Sequence, residues 1–378
     1  MPLQKVSSVD LKALAAKNPE HWKKAAAIRA LTLDAVAAAN SGHSGMAMGM
    51  ADVATVLFEK HMKFDAAAPN WPDRDRFILS VGHSSLTIYN QLFLHGYGLE
   101  LDDLKSLRTW GSATPGHPEY GHTKGVEITT GPLGQGLASA TGFAYASRFE
   151  RGLFDPESAQ GESPFDHFVY VIAGDGDMQE GVTSEAASLA GHQQLGNLVV
   201  IYDSNQISIE DDTNIAFTED LTARYNAYGW HTQTVDWKKT GNYVEDVREL
   251  YEAIEKAKAV TDKPSLITLR TIIGWPSPTK QGSGKVHGSK LGAEELAGLK
   301  QVLGFDPEKT FEVAPEVLAH TRSYQAHADA VRAEWQVGFD KWAQANPEAK
   351  ELLERMERKE APAGLEAALP VFEAGTEL

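Results

Sequence analysis

The chain has 378 residues, with 35 basic and 52 acidic side chains, a formal net charge of −17 and no cysteine. That length can bury a substantial core, as one large domain with an appendage or as two ordinary domains. The acidic balance argues against a broad nucleic-acid surface or an anionic membrane as main partner, leaving room for a local basic pocket for a phosphorylated ligand. Without cysteine there is no disulfide framework and no thiol-ligated zinc, residues 1–20 show no signal-peptide core, and no apolar run is long enough to span a bilayer. A soluble cytoplasmic protein is the expectation.

Residues 22–40 are alanine-rich, with Trp22, Ile28, Leu31 and Val36 as larger apolar residues, and read as a packed helix ended by NSGHSG. A second helix is expected over 50–63. RFILS at 76–80 reads as a short buried strand running into VGHSS. Three further apolar runs, at 168–176, 198–205 and 265–272, read as interior strands, with helical patterns at 183–195 and 243–260. Strands alternating with helices of this length imply βαβ units, so the expected fold class is α/β, a mostly parallel sheet with helices on both faces. After about residue 300 the pattern changes to helical connecting material, including a long helical stretch at 315–348.

In open α/β sheets, ligands collect at the carboxyl ends of strands, where glycine-rich turns suit phosphate or metal binding. GDGDMQEG at 174–181 has that setting: Gly174 and Gly176 permit close backbone approach, and Asp175 offers an oxygen immediately after a strand. Asn205, thirty positions on, ends the next strand with an amide oxygen. Such oxygen donors without thiol suit Mg²⁺ or Ca²⁺ better than zinc. An ordinary turn role for Asp175 and Asn205 stays open at this point. The segment is neither a P-loop nor a dinucleotide GxGxxG.

His43, His83, His117 and His287 all lie in loop contexts rich in Gly, Ser or Pro, and together they make a joint candidate for phosphate contact and proton exchange. The stretch 127–142 forms a glycine turn before a small-residue helix. Its amides could meet a diphosphate and Leu133 could pack on a ring, or the small residues could serve close helix packing.

SGHSGMAMG, ILSVGHSS, TWGSATPGHPEYGHTKGVEITTGPLGQG, GDGDMQEGVTSEAASLAG, YDSNQISI, AYGW and RTIIGWPSPTKQGSGKVHG, in this order, resemble the first half of the transketolases. These thiamine diphosphate enzymes of the pentose phosphate pathway move two-carbon ketol units between sugar phosphates. The resemblance implies that residues 1–300 bind the diphosphate of thiamine diphosphate and that 301–378 link toward a pyrimidine-binding domain. Asp175, Asn205 and the Ile207 carbonyl would ligate Mg²⁺ or Ca²⁺. Gly176, His83 and His287 would meet the diphosphate, and Gly131, Pro132 and Leu133 would line the thiazolium region. His43 and His117 would address sugar oxygens, with His287 assisting proton handling.

Two departures stand out: Ser44 follows His43 where SGHPG is usual, and Val81 and Ser84 flank the second Gly-His pair where SNGHGS is usual. The resemblance also implies a homodimer and a proton-handling glutamate on a second domain, so the chain is expected to be part of a longer enzyme, inactive or nearly so alone. Dihydroxyacetone synthase and a non-catalytic cofactor-binding subunit are the alternatives.

Overall fold

The structure is a computed structural model that describes residues 8–159, 161–240 and 243–377. Residues 1–7, within the stretch read for a signal peptide, lie outside the described residues. Seven strands are present among those described: β1 (Arg76–Leu79), β2 (Val169–Gly174), β3 (Leu198–Ser204), β4 (Ile207–Ser208), β5 (Asp211–Asp212), β6 (His231–Asp236) and β7 (Ser265–Arg270). Five form one parallel sheet in the order β1-β2-β3-β7-β6, and β4 and β5 form a small antiparallel pair.

Every residue of β2 and β3 is buried, as continuous apolar runs require when both sheet faces are covered. Alternation then divides the side chains. Phe77, Leu79, Tyr170, Ile172, Val199, Ile201, Ile267 and Leu269 pack with the helices Pro19–Ala39, Ala51–Val56, Leu86–Leu94 and Val247–Lys258. Ile78, Val169, Val171, Ala173, Leu198, Val200 and Leu266 face the helices Gln135–Phe154, Gly181–His192 and Leu221–Ala227. Small residues on these helices, Ala140, Ala144, Ala187 and Ala190 among them, let the second layer lie close to the sheet.

The structure departs from the sequence reading in three places. The expected helix at 50–63 ends at Val56 and widens into a π-turn, Leu57–His61, which sets the His61 ring 4.7 Å from Tyr251 and its Nδ1 2.9 Å from Glu255. The stretch 315–348 divides at Ser323, whose hydroxyl donates back to the His320 carbonyl, giving helices Pro315–Arg322 and Tyr324–Ala345. Pro347, lacking a backbone donor, opens another helix, Pro347–Glu357. The strand β6 escapes a sequence reading because it is an edge strand with Val235 as its one fully buried residue.

The helices Pro315–Arg322 and Tyr324–Ala345 lie against the α/β layers. Tyr324 stacks on Phe64 at 4.3 Å and donates to the Met62 carbonyl, while the Trp335 and Trp342 indoles donate to Pro164 and Phe154 carbonyls. On the sheet's first face, Arg29 is wholly buried and donates to Asp52 at 2.6 Å, Glu245 at 2.7 Å and the Met48 carbonyl at 3.1 Å. It ties the 19–39 helix to the 51–56 helix and to the start of the 247–258 helix. Arg29→Met takes the guanidinium from buried Glu245 and Asp52, leaving Asp52 its His21 partner, and is expected to cost about 3–5 kcal/mol in urea denaturation. A loss below about 1 kcal/mol would show that the network is relieved by repacking or water.

Candidate functional site

The loops that leave β1, β2, β3 and β7 meet at the carboxyl edge of the sheet. Their junction is built on Asp177, the second acid of GDGDMQEG. Its side chain is wholly buried; one oxygen accepts from the Ser80 hydroxyl at 2.6 Å and the Gly134 amide at 2.7 Å, the other from the Gly174 amide at 2.9 Å. Three loops are thereby tied to one carboxylate, whose pKa is raised by burial. Glycines let the same loops touch. A Cβ on Gly82 would lie 2.7 Å from the Gly131 nitrogen, and one on Gly176 would lie 2.5 Å from Leu133 Cδ1.

Asp175 opens the short helix Asp175–Gln179 beyond β2. Its oxygens accept from the Tyr202 hydroxyl at 2.6 Å and the Gln206 amide at 2.8 Å, and burial pushes its pKa up to about 6. Asn205, beyond β3, accepts from the Ile207 amide at 2.9 Å and donates to Asp203 at 2.7 Å. Asp175 thus meets neutral hydrogen-bond donors, and Lys238 is the charged side chain that acts on it from farther off.

Three of the four sequence-singled histidines converge. The His43 ring lies 5.0 Å from His83 and 5.7 Å from His287, and His83 lies 5.1 Å from His287. His117 sits beside Gly131, where an added Cβ would come within 3.5 Å of its ring. Gly288 backs on His43 in the same way, at 3.0 Å. Gly131 therefore adjoins His117 and the Gly82–His83 turn, Gly176 adjoins Leu133, and Pro132 is exposed between its neighbours. Ile207 is half-buried and starts β4.

Burial, then mutual repulsion with the other imidazoles, lowers His43 to about 4 and His83 to about 3; burial also lowers His117 and His287. At neutral pH these rings are uncharged and each offers one donor and one acceptor nitrogen.

The sequence reading passed over Ser80, Tyr202, Asp203, Thr271 and Arg108. Arg108 stands one residue before the TWGSATPG segment; it has a left-handed backbone (φ 62°), bonds Ser41, and repels protons from His43 and His117. A basic residue adjoining a histidine-bearing glycine loop was the available signal. Asp203, inside an apolar run, was a polar residue in a strand with no assigned partner.

Among the described residues no three His, Cys, Asp or Glu side chains are grouped to hold a metal ion. A site made from one carboxylate, one amide oxygen and a backbone carbonyl has a different donor set.

The family model described as "Transketolase, thiamine diphosphate binding domain" matches residues 21–362. The chain belongs to the transketolase family. It is 56% identical to the transketolase of Mycobacterium tuberculosis over 365 residues, 95% of this chain and 51% of that protein. It is 47% identical to the Geobacillus stearothermophilus transketolase over 352 residues, 93% of this chain and 51% of that protein. Among solved transketolase structures, that from Pichia stipitis in complex with sedoheptulose 7-phosphate gives a TM-score of 0.86 at 42% identity, covering 98% of this chain and 52% of that one. The transketolase from Leishmania mexicana gives 0.87 at 43%, covering 93% and 51%. The chain spans about half the length of the curated relatives it matches. The fold is that of the transketolase thiamine-diphosphate-binding domain.

The depressed histidines make a signed prediction. The unfolded chain takes up protons near pH 6.5 and folded His83 only near 3, so this group removes stability as pH falls from 6.5 toward 4. Urea denaturation of wild type and His83→Gln at pH 7 and pH 5 is expected to show wild type losing stability relative to the variant on acidification. Parallel pH profiles would refute it.

Proposed function

We propose that this chain is the diphosphate-binding part of a transketolase, which transfers a two-carbon ketol unit from a ketose phosphate to an aldose phosphate. The convergence of His43, His83 and His287 beside the Gly174–Gly176 turn carries the reading. Membership of the family, and the sugar phosphate named for the Pichia stipitis complex, support it.

The residues fit a diphosphate with a divalent cation. Among the described residues His43 Nδ1, His287 Nδ1 and Thr130 Oγ1 are buried without a protein hydrogen-bond partner. Asp175 is a buried carboxylate whose hydrogen-bond donors are neutral, and glycines 82 and 176 hold the loops where side chains would crowd them. Thiamine diphosphate, when bound, supplies the thiazolium nucleophile and electron sink for breaking and making the carbon–carbon bond.

Asp175, Asn205 and the Ile207 carbonyl would hold Mg²⁺, or Ca²⁺ in its place, against the diphosphate. Gly176, His83 and His287 would receive the phosphate oxygens, and Gly131, Pro132 and Leu133 would wall the ring. His43 and His287, uncharged near neutrality, would hold and move protons at the sugar hydroxyl and carbonyl oxygens, with His117 addressing the sugar oxygens beside His43. The glutamate that assists cofactor activation belongs, in this reading, to a pyrimidine-binding domain reached through residues 301–378 and presented across a homodimer. The reading places the enzyme in the cytoplasm; among the described residues no helix is long and apolar enough to cross a membrane. Dihydroxyacetone synthesis and a non-catalytic cofactor-binding role differ in acceptor use or in turnover, and both are decided by assaying ketol transfer with the complete protein.

Asp175→Ala is expected to weaken Mg²⁺-dependent thiamine diphosphate binding about 100-fold in calorimetry, in keeping with loss of a charged metal ligand; unchanged binding would remove it from the ligand set. In the complete enzyme His43→Ala is expected to lower ketol transfer by about 10²–10⁴-fold while cofactor affinity stays near wild type. Unaltered turnover would take His43 off the proton path.

A further inference from the structure

The parallel register of β2 and β3 sets Gly174 beside Asp203, so the residues that follow, Asp175 on one strand and Asn205 on the other, rise together above the sheet edge. The last turns of β3 then reach both. Tyr202 and Asp203 are consecutive and point to opposite faces, yet the Tyr202 hydroxyl donates to Asp175 at 2.6 Å and Asp203 accepts from the Asn205 amide nitrogen at 2.7 Å. Asp203 is itself held: its other oxygen accepts from the hydroxyl of Thr271, just beyond β7, and both residues are 1% exposed.

An asparagine amide can turn either its oxygen or its NH₂ toward a neighbour, and only the oxygen can face a cation. With Nδ2 committed to a buried carboxylate, Oδ1 faces the loop, where the Ile207 amide donates at 2.9 Å and a second lone pair is left over. A carboxyl oxygen suits this task because it accepts from the amide nitrogen, and Thr271 donating to the other oxygen holds the group in that role. Its burial is costly unless it is hydrogen-bonded, and Thr271 and Asn205 supply that.

We infer that Asp203, held by Thr271, is a positioning residue that locks the Asn205 amide with its oxygen presented to the cation anchoring the diphosphate. This rests on the reading of Asp175 and Asn205 as the cation-holding pair. The competing role is purely structural, with Asp203 joining the ends of β3 and β7.

The test uses the full-length polypeptide freed of metal and cofactor. Thiamine diphosphate binding is measured by calorimetry from limiting to saturating Mg²⁺, together with the melting temperature of the metal-free protein. Asp203→Ala is expected to raise the half-saturating Mg²⁺ concentration about 10- to 100-fold, as loss of a partner behind a metal ligand does, with binding regained at saturating Mg²⁺. Asp203→Asn keeps an acceptor for Asn205 but adds a donor that also admits the flipped amide, and is expected to recover only part of the shift. An unchanged Mg²⁺ dependence in Asp203→Ala overturns the proposal, as does a deficit that Mg²⁺ does not rescue and a lowered metal-free melting temperature accompanies. If Asp203→Ala does not fold, Thr271→Val takes its place: a smaller shift in the same direction supports the proposal and no shift overturns it. Asp175→Ala separates the two levels. If it leaves the Mg²⁺ dependence intact, the cation reading and the proposal fail together; if it abolishes that dependence while Asp203→Ala changes nothing, only the positioning role fails.

Discussion

The carboxylate of Asp177 accepts from Ser80, Gly134 and Gly174, and through those three donors it closes the carboxyl edge of the sheet. Ser80 fixes where β1 hands over to the His83 loop, Gly134 fixes the glycine turn that carries Gly131 to Leu133, and Gly174 fixes the turn that carries Asp175. A buried carboxylate that left these donors unpaired would be expensive, so the three loops have little freedom to separate. The remaining geometry of the site follows from this closure.

Around that tie the site is polar and poor in formal charge. Burial keeps the four imidazoles neutral and raises Asp175 and Asp203 toward neutrality, to about 6 and about 7. Buried carboxylates whose hydrogen-bond donors are neutral favour a proton or a metal cation, and neutral imidazoles favour hydrogen bonding over ion pairing. In the proposed reading the oxygen donors Asp175 and Asn205 serve cofactor retention, His43 and His117 serve the sugar, and His287 serves both.

Stability is supplied from elsewhere in the molecule. The Arg29 network clamps the helices of the first face, and the aromatic anchors Tyr324, Trp335 and Trp342 fasten the later helices to the domain.

The sequence by itself determined the α/β class, because the apolar runs of β2, β3 and β7 can be satisfied only by a sheet covered on both faces. It also determined the candidate chemistry, since glycine turns, Asp175, Asn205 and the four loop histidines are visible as residue types in strand-end contexts. Other features were hidden. The strand β6 carries an edge-strand polarity that no local pattern separates from loop, and the helix division at Ser323 depends on a side chain folding back on its own turn. In GDGDMQEG the strand-end position and the family resemblance single out Asp175 as an oxygen donor, but nothing in the sequence names the partners of Asp177. Only the tertiary structure decided that Asp177 binds loops together while Asp175 stands among neutral donors, and that Asp203, three positions into an apolar run from Val200, reaches Asn205. The reason is physical: a carboxylate's role is set by which donors surround it, and here those donors come from strands and loops distant in sequence that meet only when the parallel sheet is in register.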